Sequence, residues 1–153
     1  MTITNLKEES YFSILNELPD FWSSSADTMR PYHHIMFAKY FPEVSFVAIE
    51  HQKIIGYLYA ILSANQQKTF IHLIAVRKGY YRKKIATVLL NKLESTLSHL
   101  FPKCRQIEAY CIKENRLGIA FFSNRGFLQQ GILQTQEKEA ILFRKPVKNC
   151  CTK

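Results

Sequence analysis

Hydrophobic positions along the chain follow two periods, and the sharpest switch between them lies in residues 70–90, FIHLIAVRKGYYRKKIATVLL. Residues 70–76 form an apolar, aromatic and β-branched run broken only by His72, which predicts a strand buried on both faces. From Ile85 the spacing changes. Ile85, Val88, Leu89, Leu93, Thr96, Leu97 and Leu100 recur at three- and four-residue steps, predicting a helix with one apolar face and with Asn91, Lys92, Glu94 and Ser95 toward solvent. Pro102 restricts Phe101 and cannot continue the hydrogen-bond ladder, so the helix stops there.

The remaining elements follow in order. Thr2, Ile3 and Thr4 favour a short first strand within residues 1–7. Residues 10–18 predict a helix with Tyr11, Ile14, Leu15 and Leu18 on one face, stopped by Pro19, and residues 21–25 a loop. A second helix starts at Pro31, a good first-turn residue, and runs to Tyr40. Residues 44–50 and 53–62 read as strands joined through His51-Gln52, which is weak turn chemistry, and Gly56 marks a bulge or a close approach. After the long helix come a strand at 106–112, a helix opened by Asn115 and closed by Gly126, and an antiparallel pair at 128–133 and 140–143 around polar 134–139. Strands with helices between and around them imply a mixed α/β sheet in one domain, residues 1–146, followed by a loose tail at 147–153.

Composition narrows the class. At 153 residues with 47% hydrophobic and 13% aromatic content, the chain can bury a core and is not a disordered segment. No apolar run approaches the roughly 18–20 residues of a membrane span, and Lys7, Glu8 and Glu9 do not make a signal peptide, so a soluble cytoplasmic protein is expected. Cys104, Cys111, Cys150 and Cys151 show no metal-ligand spacing and read as reduced thiols; no metal is expected. The ending Cys150-Cys151-Thr152-Lys153 has the bare form of a prenylation box, but lacks the aliphatic pair and ends in Lys.

A net charge of +9 calls for an anionic partner. Helix-turn-helix, zinc-finger and RNP signatures are all missing, which disfavours nucleic acid. The basic residues cluster only at 77–84, with Arg82, Lys83 and Lys84 against the predicted helix start. Each badly placed cation there costs roughly 0.3–1 kcal/mol, because a helix N-terminus is already positive. A bound anion reverses that sign: free amides and adjacent cations make a phosphate cradle. The competing reading is a solvated basic loop.

Residues 76–90 resemble motif A of the GNAT acetyltransferase superfamily, in which a turn of pattern Arg/Gln-x-x-Gly-x-Gly/Ala cradles the coenzyme A pyrophosphate. Tyr81 falls at the Arg/Gln position, Lys84 at the middle Gly and Ala86 at the final Gly/Ala, so two of three positions depart. Residues 115–127, NRLGIAFFSNRGF, resemble motif B, an Asn-opened helix closing in Gly-Phe. The resemblance implies the GNAT fold, a mixed sheet of about six to seven strands with about four flanking helices and splayed central strands. It also implies acetyl-CoA as cofactor. By position, the backbone of Ile74, Ala75 and Val76 would bind pantetheine. Tyr81, Arg82, Lys83, Lys84, Ile85 and Ala86 would hold the phosphates, and Asn115 would contact pantetheine. Phe122 stands at the coenzyme-side position where the family's usual Tyr general acid would be.

The family's early helices wall the acceptor site, which by analogy brings in Trp22, Tyr32, His33, His34 and Phe37. Against that stands a core role for Trp22 and Phe37, with at most one of the two histidines facing the cleft. His72 is the first choice of general base, since an imidazole with a reference pKa near ~6.5 accepts a proton at neutral pH. Alternation would put it on the face of Phe70 and Ile74; the rival reading is a buried histidine bonded to a carbonyl. Glu50 is the second choice. Without a Tyr at 122, the thiolate proton comes from solvent, Tyr110 or Tyr80. The expected function is acetyl-CoA-dependent N-acetyl transfer to the amine of a small molecule or protein, with a homodimer allowed. The alternative is a non-catalytic module of the same fold that binds coenzyme A or a partner protein.

Overall fold

A computed structural model describes residues 1–17, 20–21, 31–134, 136 and 138–148. The chain runs β1 (Thr2–Asn5), α1 (Ser10–Asn16), α2 (Pro31–Tyr40), a 3-10 turn (Pro42–Val44), β2 (Phe46–Glu50), β3 (Lys53–Leu62), β4 (Lys68–Val76), α3 (Ile85–Leu100), β5 (Gln106–Ile112), α4 (Arg116–Asn124), β6 (Leu128–Gln134) and β7 (Glu139–Pro146). The seven strands form one sheet of order β1-β2-β3-β4-β5-β7-β6, antiparallel except for β4 and β5. The β2–β3 hairpin turns on His51 and Gln52, both left-handed at φ 48° and 63°, the twist-compatible two-residue geometry that Gly and Asn usually supply.

Each sheet face carries its own core. On one, Ile85, Leu89, Leu90, Leu93 and Leu97 of α3 bury against Phe46, Leu58, Ile71 and Ile107. On the other, Ile14 of α1, Phe21, and Phe37 of α2 bury against Val47, Tyr57 and Tyr59. The expected α3 stripe is corrected at its end. Leu100 is 65% exposed and Phe101 packs against the core instead, while Leu90 is buried. Val147, the first residue of the expected tail, donates its amide to the Arg105 carbonyl at 2.9 Å and packs on the core. Of the expected α1 face, Ile14 is buried, while Leu18 and the side chains of Tyr11 and Leu15 lie outside the described residues.

Two irregularities open the middle of the sheet. Parallel pairing of β4 with β5 spans only Lys68↔Gln106 to Ile71↔Ala109. Beyond it β4 stays on β3 as far as Val76↔Gly56, and β5 stays on β7 as far as Ile112↔Ala140. The two strands therefore diverge, and among the described residues no strand pairs with the β5-facing edge of residues 72–76. The second irregularity is a bulge. Tyr59 pairs with Leu73 and Ala60 with Ile71, leaving His72 as the extra residue. Strict alternation is thereby broken: Ile74 turns to the α3 core, while His72 stays on the α2 side against Phe37.

Candidate active site

The end of β4 is clamped from behind. Arg77 is only 2% exposed; its Nε donates to the Ile54 carbonyl at 2.7 Å and its two terminal nitrogens donate to Glu17 and Asp20. Although it falls in the basic 77–84 segment, Arg77 belongs to the interior. The turn that follows is exposed at residues 81–84. Gly79, Arg82 and Lys84 all have positive φ, at 81°, 62° and 61°. Lys84 is the N-cap of α3 and offers no side-chain cap, and the first turn of the helix holds no acidic residue. The first helical bond runs from the Val88 amide to the Lys84 carbonyl, so the amides of Ile85, Ala86 and Thr87 have no acceptor within the helix. Uncapped amides beneath the exposed cations Arg82, Lys83 and Lys84 are the arrangement that binds phosphate.

Gly56 brings this helix end to the sheet. A Cβ built there would lie 2.7 Å from Ile85 Cγ2 and 3.1 Å from the Ala75 carbonyl oxygen, so only glycine lets α3 start directly against the end of β4. The basic turn thus adjoins the end of the strand that parts from β5. His72 and Tyr110 are the first residues past the final β4–β5 pair on their respective strands. Phe70 pairs with Glu108, and its ring lies 5.7 Å from that of Tyr110, which puts Tyr110 on the His72 side of the sheet, 43% exposed. The exposed His72 ring stacks on Phe37 at 5.0 Å, so a fully buried aromatic holds it at the opening.

A family model for acetyltransferases of the GNAT family matches residues 9–127. The chain belongs to the GNAT acetyltransferase family. L-2,4-diaminobutyric acid acetyltransferase of Halalkalibacterium halodurans is 30% identical over 100 residues, covering 65% of this chain and 52% of that protein. The chain spans about half the length of the curated relatives it matches. Among solved structures, the fold superposes on the ribosomal-protein-S18-alanine N-acetyltransferase of Escherichia coli with a TM-score of 0.81 at 15% identity, covering 98% and 96% of the two chains. It superposes on Chaetomium thermophilum Naa20, solved with a bisubstrate analogue, with a TM-score of 0.80 at 17% identity, covering 96% and 87%. Among the described residues, the seven-stranded mixed sheet with four helices is the GNAT fold.

Against the family pattern, the candidate residues separate. Ile74, Ala75 and Val76 lie on the open edge of β4, and Tyr81 to Ala86 form the turn and helix start. Asn115 caps α4, accepting from the Gly118 amide at 2.9 Å through Oδ1. Phe122, taken as a coenzyme contact, is corrected: it is 5% exposed, stacked on Phe143 at 5.5 Å and edge-on to Phe127 at 5.1 Å, and is a core residue. Glu50 lies away from His72. It closes the β2–β3 hairpin opposite Lys53, about 20 Å along β3 from the strand positions beside His72.

On the acceptor side, His34 and Phe37 take the core reading. His34 is 1% exposed, and its Nδ1 shares a 2.5 Å hydrogen bond with the Tyr59 hydroxyl; Phe37 stacks on Tyr59 at 5.0 Å. Burial, and secondarily the nearby Tyr57, push the Tyr59 phenol well above its ordinary range. Tyr59 therefore stays protonated. Tyr32 and His33 lie in α2 with only their backbone described, and Trp22 lies outside the described residues. Of the two substitute acids, Tyr80 packs into the main core beyond the end of β4, with Lys83 Nζ 4.7 Å above its ring, which leaves Tyr110 at the opening. Alternation in 106–112 was the signal for it: Ile107, Ala109 and Cys111 face the core, so Tyr110 faces away. A depression of about 320 Å³ lined by Tyr40, Phe41, Leu62 and Phe101 lies at the far end of α3.

Proposed function

We propose that this chain is an acetyl-CoA-dependent N-acetyltransferase acting on a primary amine of a small molecule or an exposed protein amine. One observation carries the reading. The uncapped basic start of α3 adjoins the end of β4 across Gly56, on the strand that parts from β5 at an opening flanked by an exposed imidazole and an exposed phenol. The coenzyme fits these residues. Backbone groups along 74–76 suit pantetheine amides, the Nδ2 group of Asn115 can reach a carbonyl, and the amides of 85–87 with Arg82, Lys83 and Lys84 suit a pyrophosphate. We further infer that residues 1–146, with Val147 packed on them, act as one domain, in a reducing compartment such as the cytoplasm, where Cys104 and Cys111 stay thiols.

When bound, acetyl-CoA supplies an activated acetyl group on a thiolate leaving group. His72 accepts a proton from the substrate ammonium at a ring nitrogen, directly or through water, which frees the amine lone pair to attack the acetyl carbonyl, with Phe37 fixing the plane of the ring. Tyr110 offers its hydroxyl proton across the opening. The Phe70 and Phe37 rings limit water at the reacting centre. Acceptor amines for the test include L-2,4-diaminobutyrate and peptides with free N-termini, after the substrates named for the relatives.

The test is thiol release with acetyl-CoA over such a panel, for wild type, His72→Ala and Tyr110→Phe. Turnover of at least one amine is expected, with kcat reduced by about 10²–10⁴ in His72→Ala and less in Tyr110→Phe, at unchanged acetyl-CoA affinity. Tight acetyl-CoA binding without turnover of any amine would instead make the chain a non-catalytic coenzyme-binding module, the reading that the buried Phe122 favours.

A further inference from the structure

The basic turn is held in place by two acidic residues. Glu17 and Asp20 lie just after α1, some 60 positions from Arg77 in the chain, yet both accept from its guanidinium, whose side chain is 3% exposed. Phe21 closes the clasp, with its ring centroid 4.8 Å from the guanidinium carbon. The backbone is tied at the same point. The Arg77 amide donates to the Ile55 carbonyl at 2.9 Å, the Lys78 amide to the Asp20 carbonyl at 2.7 Å, and the Tyr80 amide to the Arg77 carbonyl at 3.0 Å. These are the residues from which the exposed turn 81–84, with its two left-handed cations, is suspended.

We propose that Arg77 is a positioning residue for coenzyme affinity: gripped by Glu17 and Asp20, it sets where the turn presents its cations and the α3 amides. This rests on the reading of the turn as the pyrophosphate site. It predicts a sign opposite to simple electrostatics. Removing two carboxylates beside a polyanion site should tighten anion binding through reduced repulsion. If instead their task is to hold Arg77, removing them leaves a buried cation unpaired, loosens the turn and weakens binding.

The experiment titrates coenzyme A into wild type, Glu17→Gln/Asp20→Asn, the milder Asp20→Asn, and Lys83→Glu/Lys84→Glu, all below their melting temperatures. A core variant remote from the turn, Phe143→Leu, controls for general destabilisation. The clasp predicts roughly tenfold weaker binding in the double carboxylate variant and a smaller loss in Asp20→Asn. It also predicts faster amide exchange at Lys78 and Tyr80, with Phe143→Leu unchanged in both readouts. Should the double variant fail to fold, Asp20→Asn decides alone. Equal or tighter binding in the carboxylate variants, or an equal loss in Phe143→Leu, overturns the proposal. Failure of wild type to bind, or undiminished binding by Lys83→Glu/Lys84→Glu, would instead overturn the underlying assignment of the turn.

Discussion

Lys84→Gly should stabilise the fold and weaken coenzyme binding at once. Lys84 has φ 61° and ψ 13° and no side-chain capping bond. Left-handed backbone costs an L residue roughly 1–2 kcal/mol, which glycine avoids. The greater freedom of glycine in the unfolded chain returns about 0.5–1 kcal/mol of that. A net gain of about 0.5–1 kcal/mol corresponds to a rise in Tm of roughly 1–4 °C for a chain of this length. The lost ammonium has the opposite effect on the ligand. An exposed charge about 4 Å from a phosphate is worth about 1 kcal/mol in water-like surroundings, or roughly a fivefold increase in Kd. Lys84→Ala separates the two effects, since it removes the charge but keeps the strained backbone. Thermal melts and coenzyme A titrations of the three proteins give the answer. If Lys84→Gly melts no higher than Lys84→Ala, the backbone strain is refuted, and if both variants bind like wild type, the phosphates are not at this turn.

Other changes have definite signs. Gly56→Ala places a methyl 2.7 Å from Ile85 Cγ2; overpacking of this kind costs about 1–3 kcal/mol, so Tm should fall and coenzyme binding should weaken as α3 shifts, which melts and titrations will show. Phe122→Tyr restores the family's usual residue but buries a hydroxyl between Phe143 and Phe127; a loss of about 1–3 kcal/mol in denaturant stability is expected, with no gain in kcat. Cys111, whose thiol is pushed up by burial, and Tyr59 hold their protons more tightly folded than unfolded. The unfolded chain therefore binds fewer protons above the ordinary thiol range of about 8.5, and stability, constant below it, should decline as pH rises past it in urea melts.

Much of the frame was legible in local pattern. Residues 53–62 and 106–112 were read with their observed ends because each run is bounded by polar residues, and α3 ends where Pro102 requires. Asn115 and Gly126 delimit α4 through local chemistry: a side-chain cap and a residue at φ 82°. What escaped depends on partners distant in sequence. The bulge at His72 is a matter of register against β3, and no property of 70–76 announces it; hence the misplacement of Ile74. Arg77 looked like one more exposed cation because Glu17 and Asp20 lie far away in the chain. The motif resemblance points Phe122 toward the coenzyme, whereas its surroundings are set by Phe127 and Phe143. The His72–Tyr110 pair emerges only from the point where β4 and β5 part.

The most direct measurement is calorimetric titration of acetyl-CoA into wild type and Lys83→Glu/Lys84→Glu. The site geometry predicts saturable binding with Kd on the order of micromolar in wild type, lost in the double variant while its Tm is retained. No binding by wild type, or equal binding by both, would contradict a phosphate cradle at the start of α3.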